Sequence, residues 1–128
     1  MKPAFVVDTD VLVDHLRGFE PAKKILRQIG DREIIGYISS VTEAELFAGK
    51  EAVSADRRNE LNELIKLFEK IILDNEIAQK SGEFRRNYGV EIPDAIIAAT
   101  AFYKGSKVLT KNKKDFEKIR EVVIEEPY

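Results

Sequence analysis

A parallel α/β sheet with helices on both faces is the fold class this sequence predicts. Three observations carry it. The apolar runs Phe5-Val6-Val7 and Val108-Leu109 are continuous rather than alternating, as in strands buried on both sides. Segments of helical spacing, punctuated by Gly, Ser and Pro, lie between the apolar runs. The chain has 128 residues, 44% of them hydrophobic, which suits one ordinary domain with a sizeable core. A single domain over 1–128 is expected, since no repeat, low-complexity tract or linker interrupts it.

The elements follow in order. Residues 4–7 read as a short buried strand, and 10–17 as a helix closed by Gly18. Pro21 suits the first turn of a second helix that stops at Gly30. Residues 33–38, rich in Ile, predict the next strand, and Ser39 and Ser40 mark a helix start at Val41. Leu61, Leu64, Ile65 and Phe68 give helical spacing to 54–67, with charges on the other side. Residues 71–73 predict a short strand. Helices over 75–88 and 93–103 end at Gly89 and Gly105. A strand over 107–110, a short helix over 113–119 and a last strand over 122–124 complete the pattern.

Composition narrows the functional classes. The chain has no cysteine, which excludes disulfides and thiolate metal sites and fits a reducing cytoplasm. No apolar stretch approaches the roughly 20 residues needed to span a bilayer, and no signal peptide is read at the N-terminus, so a cytoplasmic location is expected. The formal charge of −2 excludes a chain that is basic throughout. Charge is nevertheless uneven: Lys104, Lys107, Lys111, Lys113, Lys114, Lys118 and Arg120 cluster near the C-terminus. Such a face can contact phosphates or can simply be a solvated surface.

Four carboxylates stand beside apolar segments, where desolvation is costly unless something cationic compensates it. Asp8 closes the first apolar run. Asp8 or Thr9 could cap the following helix, but capping needs one side chain and leaves Asp10 unexplained. Both Ser40-x-x-Glu43 and Thr42-x-x-Glu45 match a capping box. Glu45 borders the small apolar stripe of Val41, Ala44 and Ala48, so Glu45 is the better candidate for an inward site. Asp94 follows Pro93 at a helix start, where an acid favours the helix dipole; the Ala-rich helix behind it fits metal binding equally well. Asp115 lies five residues beyond Thr110, and either it or Asn112 could cap a short helix. Asp14 and His15 belong to the first helix, and a lone His there reads as a surface residue.

At four places the sequence resembles the PIN-domain family, and within it the VapC-type toxin ribonucleases. The matching segments are Val7-Asp8-Thr9-Asp10-Val11-Leu12, residues 38–46, residues 93–101 and residues 108–116. The resemblance implies a three-layer α/β/α sandwich with a short, mainly parallel central sheet. It implies a divalent-metal site for Mg²⁺ or Mn²⁺ built from Asp8, Glu45, Asp94 and Asp115, supported by Thr9, Asp10, Thr110 and Asn112. Some relatives carry an acid two residues after the matching Thr, where this chain has Asn112; Asp115 is then the fourth acid by position. The implied activity is hydrolysis of RNA phosphodiesters to a 3′-hydroxyl and a 5′-phosphate. The implied partners are a small antitoxin and a second copy of the chain in a homodimer. Hard divalent cations prefer oxygen ligands, which agrees with a cysteine-free, carboxylate-rich site. Lys111, Lys113 and Lys114, beside the fourth acid, are the expected RNA contacts.

Three rival functions stay open on sequence alone. The segment from Phe5 to Asp10 also resembles the start of a haloacid-dehalogenase-type phosphatase, although Leu12 stands where that pattern expects Thr or Val. A housekeeping RNA-processing nuclease of the same family would look much the same. A catalytically silent RNA-binding module would not need all four acids.

Overall fold

The computed structural model describes all of residues 1–128. Its sheet is built from β1 (Ala4–Val7), β2 (Ile35–Ser39), β3 (Glu69–Ile71), β4 (Lys107–Leu109) and β5 (Ile124–Glu125). The order is β3-β2-β1-β4-β5, and every neighbouring pair is parallel. Alternation along β1 divides the core in two. Phe5 and Val7 face α1 (Thr9–Leu16), α2 (Glu20–Gly30), α3 (Ser40–Ala48) and α4 (Ala55–Ile65), packing with Leu12, Leu26, Leu46 and Leu61. Val6 faces the other way with Val108, against α5 (Asn75–Tyr88), α6 (Ile92–Lys104) and α7 (Lys113–Phe116), where Phe84, Ile97 and Phe116 are fully buried. The result is the three-layer α/β/α sandwich. No helix is long and apolar enough to cross a membrane.

Local chemistry explains where the helices stop and start. Ser39, Ser54 and Asp74 cap α3, α4 and α5 by accepting from the N–H groups of Val41, Arg57 and Ile77. Gly89 and Gly105 end α5 and α6 in the left-handed region, at φ of 72° and 60°. Ala95, Ala98, Ala99 and Ala101 are all buried, so α6 lies close to the sheet along its length. Gly36 does the same for β2. A Cβ there would stand 2.9 Å from the ring of Phe68 and 3.0 Å from Cδ1 of Ile29.

The differences from the sequence pattern are small and have physical causes. β3 lies at 69–71 rather than 71–73, paired with β2 by Tyr37 opposite Glu69 and Ser39 opposite Ile71. As an edge strand it carries the exposed Glu69 and Lys70, and the apolar Ile72 and Leu73 that marked the segment are themselves exposed. The fourth helix turn pattern also ends early. α4 stops at Ile65, and Phe68 enters the core from the turn that follows.

Topology places the crevice. From β1 the chain builds β2 and β3 on one side of the sheet, and β4 and β5 lie on the other. The order reverses between β1 and β4, and in sheets of this kind ligands bind beyond the carboxyl ends at that point.

Candidate active site

Asp8 sits at that reversal. Its N–H donates to the carbonyl of Leu109, 2.9 Å away, so the residue is pinned to the end of β4 as well as β1. Its side chain is 7% exposed and fully engaged. Oδ1 accepts from the N–H of Thr9 at 2.8 Å and so caps α1, while Oδ2 accepts from the buried hydroxyl of Thr110 at 2.7 Å. Burial pushes the Asp8 carboxyl up to about 7, repulsion from Asp10 adds to this, and the bonds from Thr110 and Thr9 offset it only in part. Asp8 is therefore a cap and also a strained anion.

Glu45 reaches the same place from α3. Its Oε1 accepts from the hydroxyl of Thr9 at 2.7 Å, and Thr9 also lies 3.0 Å from the hydroxyl of the fully buried Thr42. The reason for preferring Glu45 differs from the one the spacing suggested. Ala44, Glu45 and Ala48 are exposed, and the buried face of α3 is Thr42 and Leu46. Glu45 thus stands on the exposed side of α3, held by Thr9, rather than in a packed stripe. Glu43 points elsewhere and pairs with Lys70 of β3 at 2.8 Å. Glu43→Gln should leave catalysis intact and cost at most about 1 kcal/mol, as for other partly exposed ion pairs. Glu45→Gln should cost activity with little change in melting temperature. Thermal melts and initial cleavage rates on the two variants check this, and equal activity losses would reverse the assignment.

Asp94 and Asp115 come from the other helical layer. Asp94 lies in the first turn of α6, behind Pro93. Burial raises its carboxyl to about 6, and repulsion from Asp8, Asp115, Glu45 and Glu91 adds to the effect in that order. That list brings the four acids into one electrostatic neighbourhood. Asp115 does not cap α7. Instead its Oδ2 accepts from the side-chain amide of Asn112 at 3.0 Å, and its Oδ1 lies 3.7 Å from Lys118. Asn112 in turn donates its N–H to Thr110 at 2.8 Å, which links it to Asp8.

The supporting residues divide. Asp10 accepts from the N–H of Lys111 at 3.2 Å through Oδ2, and its buried Oδ1 has no partner. Lys111 is committed to Asp14, at 2.7 Å. Lys113 stands 3.6 Å from Glu126, with both side chains more than half exposed, and Lys114 is exposed. His15 is half-buried rather than on the surface, with a buried Nδ1 that has no partner. Two further residues beside the site carry a faint signal in the sequence. Thr42 reads only as a cap, and Asp14 is visible only as the i+4 neighbour of Asp10 on one helix face.

The donor set suits a hard divalent cation. Asp8, Glu45 and Asp94 have no Lys or Arg within ion-pair distance, and Asp8 and Asp94 are held well above the usual carboxylate range. Such an arrangement is costly without a positive charge and favourable with one. As the side chains stand, no three acids or histidines are drawn tightly enough together to grip an ion. Thr9 holds Glu45 and Asn112 holds Asp115 in these positions.

Comparisons with known proteins agree with this architecture. The family model described as PIN domain matches residues 5–122. The chain is 33% identical to Ribonuclease VapC1 of Methanocaldococcus jannaschii over 122 residues, covering 91% of this chain and 81% of that protein. Among solved structures, a toxin–antitoxin complex from Klebsiella pneumoniae has a chain that superposes with a TM-score of 0.79 at 30% identity, over 97% of this chain and 98% of that one. DNA-bound VapBC from Salmonella typhimurium gives a TM-score of 0.82 at 25% identity, over 100% of both chains. This chain belongs to the PIN-domain family, among its VapC-type members. The dehalogenase-type alternative falls with that result, and its proposed nucleophile Asp8 is buried with both oxygens already engaged.

Proposed function

We propose that this protein is an endoribonuclease toxin of a toxin–antitoxin pair, acting on RNA in the cytoplasm with Mg²⁺ or Mn²⁺. The observation that supports the proposal is the raising of Asp8 to about 7 and of Asp94 to about 6, by burial first and then by acidic neighbours, Asp10 and Glu45 for Asp8 and Asp8, Asp115 and Glu45 for Asp94. Relatives named as a ribonuclease and as a toxin–antitoxin complex support the substrate and the setting. A housekeeping RNA-processing role has no comparable support among them.

When bound by the four acids, a divalent ion supplies charge neutralisation and Lewis acidity. The chain's own residues do the rest. Thr9 and Thr110 fix the two oxygens of Asp8. The Thr9 hydroxyl orients Glu45, and the Asn112 amide orients Asp115. Asp8 and Asp94, raised to about 7 and about 6, would have to be deprotonated to hold a cation, so metal affinity would rise with pH. A homodimer and a small antitoxin complete the reading. The apolar face expected of 54–67 is consumed by the chain's own core through Leu61, Leu64 and Ile65, and Val53 and Leu67 are what stays exposed beside it.

Protein freed of any partner should cleave RNA with Mg²⁺ or Mn²⁺ and stop when EDTA is added; cleavage unaffected by EDTA would overturn the metal-dependent reading. The RNA path runs past Lys113 and Lys114 in this proposal. Replacing both with Ala should weaken binding to every single-stranded RNA and flatten the log–log salt dependence by about 0.7 per lost contact. An unchanged slope would move the path away from this loop.

A further inference from the structure

The loop between β4 and α7 carries Asn112, and part of its fastening lies outside the four acids. Two bonds hold the loop to α1, and a third ties α1 to the chain's last residue. The N–H of Lys111 donates to Asp10, its ammonium lies 2.7 Å from Oδ2 of Asp14, and the hydroxyl of Tyr128 donates to that same oxygen. The ring of Tyr128 packs edge-on against Phe19 at 5.0 Å, which seats it beside the start of α2. Asp10 and Asp14 are one helical turn apart and so present adjacent carboxylates to the loop. The side chain of Asp14 is 19% exposed, so this pair is partly withdrawn from solvent, unlike most ion pairs in the molecule. Hydrogen bonds from Lys111 and Tyr128 overcome burial and keep its carboxyl below the ordinary range.

We infer that Asp14 is a positioning residue: by engaging Lys111 it fixes the loop from which Asn112 orients Asp115, and Tyr128 holds Asp14 in place. Lys111 then serves the loop rather than the RNA. The path is short. Thr110 is anchored by Asp8, Lys111 by Asp10 and Asp14, and Asn112 by Thr110, so Lys111 is the member of this stretch whose placement depends on α1 beyond Asp8. Without the Asp14 contact, the bonds from Lys111 N–H to Asp10 and from Asn112 N–H to Thr110 remain, and the Asn112 amide is held toward Asp115 less firmly.

The inference rests on the proposed function only for the role of Asp115, and the experiment separates the two. In metal-free protein, Asp14→Ala and Lys111→Met should each speed amide exchange at Lys111 and Asn112, while Lys111→Arg restores the parent rate. Tyr128→Phe, which removes one hydroxyl, should give a smaller change of the same sign and serves if Asp14→Ala folds poorly. Calorimetric titration with Mn²⁺ should show affinity reduced about tenfold, in the range found for groups that orient metal ligands. RNA cleavage should show lower kcat at unchanged KM, and the Asp14→Ala, Lys111→Met double variant should be no worse than either single one. Unchanged exchange, or a Lys111→Met variant whose only defect is a raised KM, would overturn the inference. Failure of the parent protein to bind Mn²⁺ would instead overturn the metal-dependent reading, and the exchange rates would still judge the loop.

Discussion

Asp94→Asn is expected to abolish RNA cleavage and to melt at a higher temperature than the parent protein in metal-free buffer at pH 7.5. The two effects have one cause. Asp94 is partly buried in the first turn of α6 and is repelled by Asp8, Asp115 and Glu45, so its ionised form is unfavourable in the folded chain. Asparagine keeps the size and removes the charge. The helix dipole favours an acid in that turn by about 0.3–1 kcal/mol, which is too little to offset burial and repulsion together. At this chain length each kcal/mol gained should raise the melting temperature by roughly 3–5 °C. The same change removes a donor from the proposed metal centre, and the rate should fall by on the order of 10²–10³ or more, as for loss of a main electrostatic contact. A calorimetric scan and a cleavage assay decide it. A lower melting temperature would mean that Asp94 is a structural cap.

The second large effect is an inverted pH dependence of stability. In the unfolded chain Asp8 titrates at 3.8, and in the fold at about 7. Between those values the folded state holds a proton that the unfolded state has released. Stability is therefore greatest below about 4 for this group, falls as pH rises, and has lost the whole contribution above about 7. At about 1.4 kcal/mol for each pH unit between the two values, the loss is on the order of 4 kcal/mol. Asp94, raised to about 6, acts in the same direction over a narrower window. Metal-free protein should thus melt lower at pH 8 than at pH 5.5, and Asp8→Asn should flatten the trend. Millimolar Mg²⁺ or Mn²⁺ should restore the melting temperature at pH 8 far more than at pH 5.5, since protons compete for the same oxygens. A melting temperature that rises steadily from pH 5.5 to 8 without metal would refute the strained-anion description.

Much of this arrangement was legible in the residues because it depends on local pattern. Phe5-Val6-Val7 announces a strand buried on both faces, and Asp8 is the first charge after it. Pro93-Asp94 marks a helix start, which the structure places one residue earlier at Ile92. Where local pattern failed, a distant neighbour decides the outcome. β3 takes its bounds from pairing with β2, so the apolar Ile72 and Leu73 misplace it. The exposure of Ala44 and Ala48 follows from the turning of Thr42 and Leu46 into the core, which spacing along one helix does not encode. Lys111 looks like a free cation until Asp14 and Tyr128 arrive from far along the chain. Asp115 looks like a helix cap until the Asn112 amide is seen to turn toward it.

The bond from Thr110 to Asp8 joins residues 102 positions apart, and β1 lies at the centre of the sheet with β4 beside it. On the ribosome, the first of these partners emerges long before the second exists. A nascent chain can form β1, β2 and β3 with their helices, yet it has no Thr110 to hold Asp8 and no Asp115 to complete the four acids. Closure of so long a loop also comes late in folding, after the local helices. In the proposed enzyme the four acids can act together only once β4 has slotted in beside β1 and α7 has followed it.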